Sequence, residues 1–79
     1  MPNPFTHQTI FDFDIAEQGA ANLSIYNSLG ELVKTLVNET KPAGSYQVLF
    51  DAEYLEAGVY FYTLKTAEGS IAKKMILTH

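Results

Sequence analysis

The sequence predicts an all-β protein, a small sandwich of two antiparallel sheets with Greek-key connections and six to seven strands. Six short stretches have strand-like patterns, and turn signals separate them at intervals of about eight to twelve residues. No stretch keeps helical periodicity over four turns. Because the chain has 79 residues, we expect one domain over residues 1–79, close to the lower size limit for folding alone.

The first two predicted strands alternate apolar and polar side chains, as half-buried antiparallel strands do. In residues 9–15 the apolar side chains share one face and the acidic ones the other: Phe11, Phe13 and Ile15 against Asp12 and Asp14. After a turn at residues 17–20, residues 22–27 repeat the pattern with Leu23 and Ile25 inward. These stretches are the expected first and second strands.

The third stretch, residues 31–37, does not distinguish helix from strand by its period. Its apolar side chains fit either structure: Leu32, Val33, Leu36 and Val37. Its length and its two valines favour a strand with a bulge at Lys34 and Thr35. Residues 38–43 are polar and contain Pro42, so they predict a loop before the fourth strand.

The fourth strand is expected to begin after Gly44 and to end at Asp51. Its alternating apolar side chains are Tyr46, Val48 and Phe50. Residues 52–57 are too few to stand as a helix, and Asp51 could cap one turn of them before Gly58 ends it.

The last two strands form a predicted hairpin. Residues 59–64 are apolar at both parities, which predicts a strand buried on both faces in the middle of a sheet. A turn at residues 67–70 leads to the last strand, residues 71–77.

The last strand contains a lysine doublet, Lys73 and Lys74, whose side chains point to opposite faces. One lysine therefore has the inward parity of Ile71, Met75 and Leu77. Two explanations stay open: an edge guarded by charge or by a bulge, and a label that a receptor reads.

Composition excludes several classes of function. Without cysteine there is no disulfide, thiolate metal site or cysteine nucleophile. Nine acidic residues against five lysines and no arginine give a net charge of −4, so nucleic acid is not an expected partner. No apolar run reaches the roughly 18 to 20 residues of a membrane span, and the first residues lack the basic and apolar regions of an export signal.

Candidate catalytic and metal-binding residues are few. The two histidines, His7 and His79, stand near opposite ends, and a domain of this size has little depth for a catalytic cleft, so we expect no enzyme. Two acidic groups could offer oxygen ligands to Ca²⁺: Asp12 and Asp14 with Glu17, and Asp51 with Glu53 and Glu56. A solvated strand face and a capped turn are the favoured interpretations, so no metal site and no cofactor are predicted.

Ten aromatic residues suggest a carbohydrate-stacking platform, with Tyr26, Tyr60 and Tyr62 as candidates. In a thin sandwich, however, most aromatic side chains are needed to fill the core.

Six segments in a fixed order resemble a known family. They are Pro2-Asn3-Pro4-Phe5, Phe11-Asp12-Phe13-Asp14-Ile15, Leu23-Ser24-Ile25-Tyr26-Asn27-Ser28-Leu29-Gly30, Ala43-Gly44-Ser45-Tyr46, Leu55-Glu56-Ala57-Gly58-Val59-Tyr60-Phe61-Tyr62 and Lys73-Lys74-Met75-Ile76-Leu77. Over residues 2–77 the chain is similar to the type A C-terminal sorting domains of proteins exported by the type IX (Por) secretion system. Each segment alone is a weak signal, whereas all of them in this order are a strong one.

The resemblance implies an immunoglobulin-like sandwich that directs an attached N-terminal cargo from the periplasm across the outer membrane, to the cell surface or the medium. It implies translocon components and a sortase-like signal peptidase as partners, with the domain usually cleaved off after export. The residues it assigns to recognition are Lys73, Lys74, Met75, Ile76 and Leu77. It also makes Pro2, Asn3 and Pro4 the start of the domain and Gly30, Gly44 and Gly58 turn glycines.

Two positions depart from the family pattern. Ala16 stands where many members have proline, which loosens that turn without changing the expected fold. His79 stands where the family often ends in lysine or arginine, so it is either the native end or a tag residue. Met1, directly before Pro2, suggests an expression start placed on a domain taken from a longer protein.

Two other functions stay open. The chain is also similar to an immunoglobulin-like domain of the flagellar hook-capping protein, which would make it a spacer or assembly module, and a carbohydrate-binding module is the third choice. The short connection at residues 51–58 and the terminal motif favour the sorting domain. An unguarded sheet edge would also allow a homodimer.

Overall fold

The computed structural model describes residues 7–78, which form antiparallel strands and no helix. The strands are β1 (Gln8–Ile15), β2 (Gly19–Asn27), β3 (Leu32–Lys41), β4 (Gly44–Asp51), β5 (Gly58–Thr66) and β6 (Gly69–Leu77). The predicted all-β fold is confirmed. No helix in the described range could cross a membrane. The expectations for Met1, Pro2, Asn3, Pro4 and His79 lie outside the described residues.

The strands form two sheets of unequal size. The small sheet contains β1 and β4, and the large sheet has the order β3-β2-β5-β6. Because β1 and β4 form one sheet while the other strands form the second, the chain crosses between the sheets after β1, after β3 and after β4. These crossovers are the Greek-key connections of a small immunoglobulin-like sandwich.

The core lies between the two sheets and is built around aromatic rings. The ring centroids of Phe11 in β1 and Tyr62 in β5 are 4.7 Å apart in a T-shaped contact, which joins the sheets. Phe11 also lies 6.3 Å from Phe50 of the neighbouring strand β4. The most deeply buried large side chains are Phe50, Leu23, Ile25, Met75 and Leu77. The predicted inward faces of β1, β2 and β4 are therefore confirmed.

Strand β3 contains two register shifts against β2. Leu23 pairs with Val37 and Ser24 with Thr35, which leaves Leu36 as an extra residue. A second shift leaves Val33 extra between the pairs made by Lys34 and Leu32. Val33 and Leu36 both pack against the core, whereas Leu32 is exposed. Two bulges thus explain how a helix-like spacing of apolar residues fits a strand.

The prediction of a loop at residues 38–43 is wrong for most of that range, because β3 continues to Lys41. Asn38, Glu39, Thr40 and Lys41 pair with β2 at the edge of the large sheet. The side chains of this segment are mostly exposed on both faces. The segment can therefore form a strand without alternating apolar and polar residues. The Lys41 ammonium also lies 4.6 Å from the ring centroid of Tyr46 in β4.

Strand β5 lies inside the large sheet, as predicted, but it is not buried on both faces. Tyr60 and Tyr62 are buried, whereas Val59 and Phe61 are each 38% exposed. The small sheet covers only one side of the large sheet, so the outer face of β5 meets solvent. The expectation of two buried faces is therefore wrong.

The turns follow the expected chemistry. The Asp51 carboxylate accepts a hydrogen bond from the Glu53 amide at 3.0 Å, which confirms the capped turn after β4. Gly30 adopts φ of 82° in the turn between β2 and β3, a left-handed conformation in which a Cβ atom costs energy.

Replacing Thr63 with valine is expected to stabilise the protein by about 1 kcal/mol. Its hydroxyl oxygen is buried and has no hydrogen-bond partner within residues 7–78, and valine keeps the shape while removing the unpaired polar atom. Urea unfolding followed by circular dichroism measures the change. A destabilised variant would mean that the hydroxyl has a partner after all.

Candidate functional site

Strand β6, which contains the lysine doublet, lies at the edge of the large sheet. Within residues 7–78 it pairs only with β5. The register is continuous from Leu77 opposite Gly58 to Gly69 opposite Thr66. Because no residue is skipped at Lys73 or Lys74, the bulge explanation of the doublet is wrong. The charge-guarded edge remains as the structural explanation.

The side chains of β6 divide into an anchored half and an open half. Met75 and Leu77 are 0% and 1% exposed, so they hold the end of the strand in the core. Lys73 and Lys74 are both exposed. Lys73 has the inward parity, as predicted, but the small sheet does not cover this part of the strand, and its neighbour Ile71 is 53% exposed.

An open apolar groove runs along this uncovered side of the sandwich, between β1 and β6. Its floor contains Phe13, Tyr62, Leu64 and Ile71. Asp12 and Asp14 of β1 line the groove, and so does Lys73 of β6. The groove is therefore bordered by opposite charges on two strands that have edges free of strand partners within residues 7–78.

The β5–β6 turn is fixed to the turn after β1. The Ala16 amide donates a hydrogen bond to the Glu68 carboxylate at 3.3 Å. A Cβ atom built on Gly19 would lie only 3.1 Å from Cβ of Ala67, so the two turns approach closely. Proline at position 16 would remove the amide donor, and alanine therefore suits this contact.

Tyr60 connects β6 to the segment before β5. It pairs with Met75 across the strands, and its hydroxyl donates a hydrogen bond to the Glu56 carbonyl oxygen at 2.7 Å. Burial, and to a smaller extent the negative charge of Glu56, raise the pKa of Tyr60. Burial also raises the pKa of Tyr62.

These shifts predict that alkali destabilises the fold. An unfolded tyrosine ionises near pH 10, before the buried one, so the unfolded state is favoured as pH rises further. The stabilisation is complete below pH 10 and is lost as pH passes the folded pKa values. The free energy of unfolding of the Tyr60→Phe variant should fall more slowly above pH 10 than that of the natural protein. The two slopes should differ by at most about 1.4 kcal/mol per pH unit.

Urea unfolding at a series of pH values tests this expectation. Tyr54→Phe is the matched control because it removes a hydroxyl from a side chain that is 95% exposed. Identical alkaline slopes for Tyr60→Phe and Tyr54→Phe would contradict the role of the buried hydroxyl.

The other candidate sites do not assemble in the described part of the chain. Asp12 and Asp14 are exposed, and Asp14 accepts a hydrogen bond from the Ser45 hydroxyl at 2.6 Å. No group of three histidine, cysteine or acidic side chains that could hold a metal ion occurs in residues 7–78. The carbohydrate platform is wrong in its geometry, because Tyr60 and Tyr62 are buried and Tyr26 lies on the opposite face of the sheet.

A comparison with protein families decides between the remaining functions. The family described as the secretion system C-terminal sorting domain matches residues 1–78. The chain belongs to this family. Among curated proteins and solved structures, none matches the chain. The sorting domain is a C-terminal signal for type IX secretion, and nothing favours the spacer or carbohydrate-binding alternatives.

Membership of the family also relates the sorting domain to the type IX secretion machinery and to a cargo on its N-terminal side. It implies export to the cell surface or secretion, and the family is one of sorting signals. Of the glycines assigned from resemblance, Gly30 lies in a turn, while Gly44 and Gly58 begin β4 and β5 with φ of 154° and 152°.

The outer face of the large sheet in the sorting domain is not among the sites that the sequence predicted. Leu32, Tyr26 and Phe61 lie there side by side on neighbouring strands. Tyr26 and Phe61 occupy the outward positions of β2 and β5, and this alternation is the sequence signal for the face. The expectation that β5 is buried on both faces did not allow an exposed face there.

Proposed function

We propose that the sorting domain is recognised as a folded unit through β6, with Lys73, Lys74, Met75, Ile76 and Leu77 as the principal recognition residues. The observation that carries the proposal is the combination of a buried anchor and exposed lysines on one edge strand. Because Met75 and Leu77 are held in the core, folding fixes the positions of both lysines. A translocon component then pairs with the main chain at this edge, in the manner of strand addition.

The rest of the export route follows the family resemblance. The cargo, joined on the N-terminal side, crosses the periplasm with the sorting domain folded. A sortase-like peptidase then removes the domain near its start, which Pro2, Asn3 and Pro4 mark. Residues 1–79 act as one domain in this route, and none of them performs chemistry.

A second copy of the chain is the natural competitor for the edge of β6. An edge strand that accepts a partner strand can also pair with itself. We therefore propose that a homodimer through this edge is the state that competes with recognition.

The test is export of a periplasm-directed fluorescent reporter fused to residues 2–79, in hosts with and without a working type IX secretion system. Fluorescence at the surface or in the medium only in the working host is the expected result. Retention of a folded fusion in the periplasm of both hosts would contradict the proposed function.

A further inference from the structure

The outer face of the large sheet presents a row of apolar side chains to solvent. Tyr26 pairs with Leu32 on one side and with Phe61 on the other, and Phe61 pairs with Lys74. Paired residues of neighbouring strands share a face and lie about 5 Å apart, so these side chains form a continuous row across β3, β2, β5 and β6. The next pair on this face is Val59 with Ile76.

We call the apolar members of these pairs the outer patch: Tyr26, Leu32, Val59, Phe61 and Ile76. Leu32 is 59% exposed, and Phe61 is 38% exposed. Tyr26 and Ile76 are half-buried. A contiguous exposed patch with aromatic residues at its centre is typical of a surface that a partner covers.

The charged side chains at the paired positions of the outer face are all lysines. Lys74 lies next to Phe61, and Lys65 projects from the same face of β5. Both lysines are exposed, and the other positions paired on this face, within the described strands, are uncharged. The outer face therefore carries positive charge at its paired positions, although the net charge of the chain is −4 and the exposed Glu31 directly precedes Leu32.

The outer face of the small sheet has the opposite charge. Ile10 and Leu49 form an exposed apolar pair there. Asp12, Asp14 and Asp51 lie on the same face, and its paired positions include no lysine. Three of the nine acidic residues thus lie on the face that points away from the outer patch.

We propose that the outer patch, with Lys65 and Lys74, is a docking surface for a folded partner protein that presents carboxylates around an apolar centre. Charge complementarity favours this partner, because like charges facing each other across an interface oppose association. The surface is also continuous with the proposed recognition strand, since Lys74 and Ile76 belong to both. The inference rests on the proposed function in this respect: the partner is the part of the export machinery that receives β6.

Under this proposal the two lysines of the doublet are not equivalent, because they lie on opposite faces of β6. Lys74 lies on the outer face beside Phe61, whereas Lys73 lies on the opposite face beside the groove. A partner that pairs with the edge of β6 and extends over the outer face would contact Lys74 and Ile76 together.

Reporter export tests the docking surface with a matched pair of double variants. Leu32→Thr with Phe61→Thr removes apolar area from the outer patch and keeps residues that favour strands. Ile10→Thr with Leu49→Thr makes the same kind of change on the outer face of the small sheet. Ile10 is 52% exposed there and Leu49 is 56% exposed. We expect export of the patch variant to fall at least about tenfold and the control to stay within about twofold of the natural domain.

A charge reversal tests the acidic partner without altering apolar area. Lys65→Glu should lower export, whereas Lys34→Glu, which makes the same charge change on β3 away from the outer face, should not. Thermal unfolding of each purified domain shows that the variants are folded. Equal export of Lys65→Glu and Lys34→Glu would contradict the acidic partner.

The outcomes separate the docking surface from the proposed function. If the natural domain itself is not exported, the proposed function and the docking surface both fail. If the natural domain and the folded patch variant are exported equally, only the docking surface fails. Because the reporter replaces the natural cargo, a defect of the patch variant excludes the natural cargo as the occupant.

A second copy of the chain is the other occupant to test, since its small sheet carries aspartates around Ile10 and Leu49. Light scattering at low and high salt shows whether the natural domain associates. Association that both Lys65→Glu and Ile10→Thr with Leu49→Thr abolish, together with loss of export in both, would assign the patch to a second copy and overturn the proposed partner.

Discussion

Replacing Met75 with alanine is expected to lower the free energy of unfolding by about 3 kcal/mol and to abolish export, although both lysines of the doublet stay in place. Met75 is 0% exposed and belongs to the core cluster, so alanine leaves a cavity at the end of β6. A chain of 79 residues has a total stability of roughly 4 to 12 kcal/mol, so this loss is a large part of it. The recognition strand would then be released from the sheet.

Urea unfolding of the isolated variant and reporter export together measure this effect. Ile71→Ala is the matched control, because Ile71 lies on the same face of β6 but is 53% exposed. The control should lose less than about 1 kcal/mol and keep its export. Normal export of an unfolded Met75→Ala fusion would show that the signal is read as a linear sequence.

Replacing Lys73 and Lys74 together with alanine is expected to lower export without destabilising the fold. Both side chains are exposed, so the free energy of unfolding should change by less than about 0.5 kcal/mol. Export should nevertheless fall at least about tenfold, because the partner loses both charges of the recognition strand. Reporter fluorescence outside the cell and thermal unfolding measure the two quantities.

The control for this variant removes the same charge from another strand. Lys34→Ala with Lys41→Ala changes two lysines of β3 and should leave export unchanged. Loss of lysine from an edge strand can also promote self-association, so the size of both variants in solution must be compared. A monomeric, folded Lys73→Ala, Lys74→Ala variant that is exported normally would contradict recognition through the doublet.

Alternation of apolar and polar side chains was sufficient to predict β1, β2 and β4. In β1 and β4 one face is more buried than the other, and in β2 the apolar side chains Leu23 and Ile25 lie on the core face, although Ser24 of the other face is also buried. The edge segment Asn38 to Lys41 could not be predicted this way. Its strand structure comes from pairing with β2, and polar composition alone does not distinguish such an edge from a loop.

Pairing between distant strands also explains why the prediction that both faces of β5 are buried was wrong. Its residues are apolar at both parities, but how many strands cover each face depends on how the strands are distributed between the sheets. That distribution is a property of the whole fold, so residues 59–64 alone could not show that Val59 and Phe61 meet solvent. The lysine doublet was identified from sequence, whereas its position on an unbroken edge required the register with β5.

The pairing of β1 with β4 has a consequence for the timing of export. The β5–β6 hairpin has a two-residue turn, and hairpins of this kind close in about 1 to 10 μs. The small sheet forms more slowly, because β1 and β4 are separated in the chain by β2 and β3. Met75 is buried in the same core cluster as Phe11 of β1 and Phe50 of β4, so the hairpin is secured only when the slower pairing is complete. If β6 is the strand that the export machinery binds, as proposed, it would become available for binding only after the whole sandwich has folded.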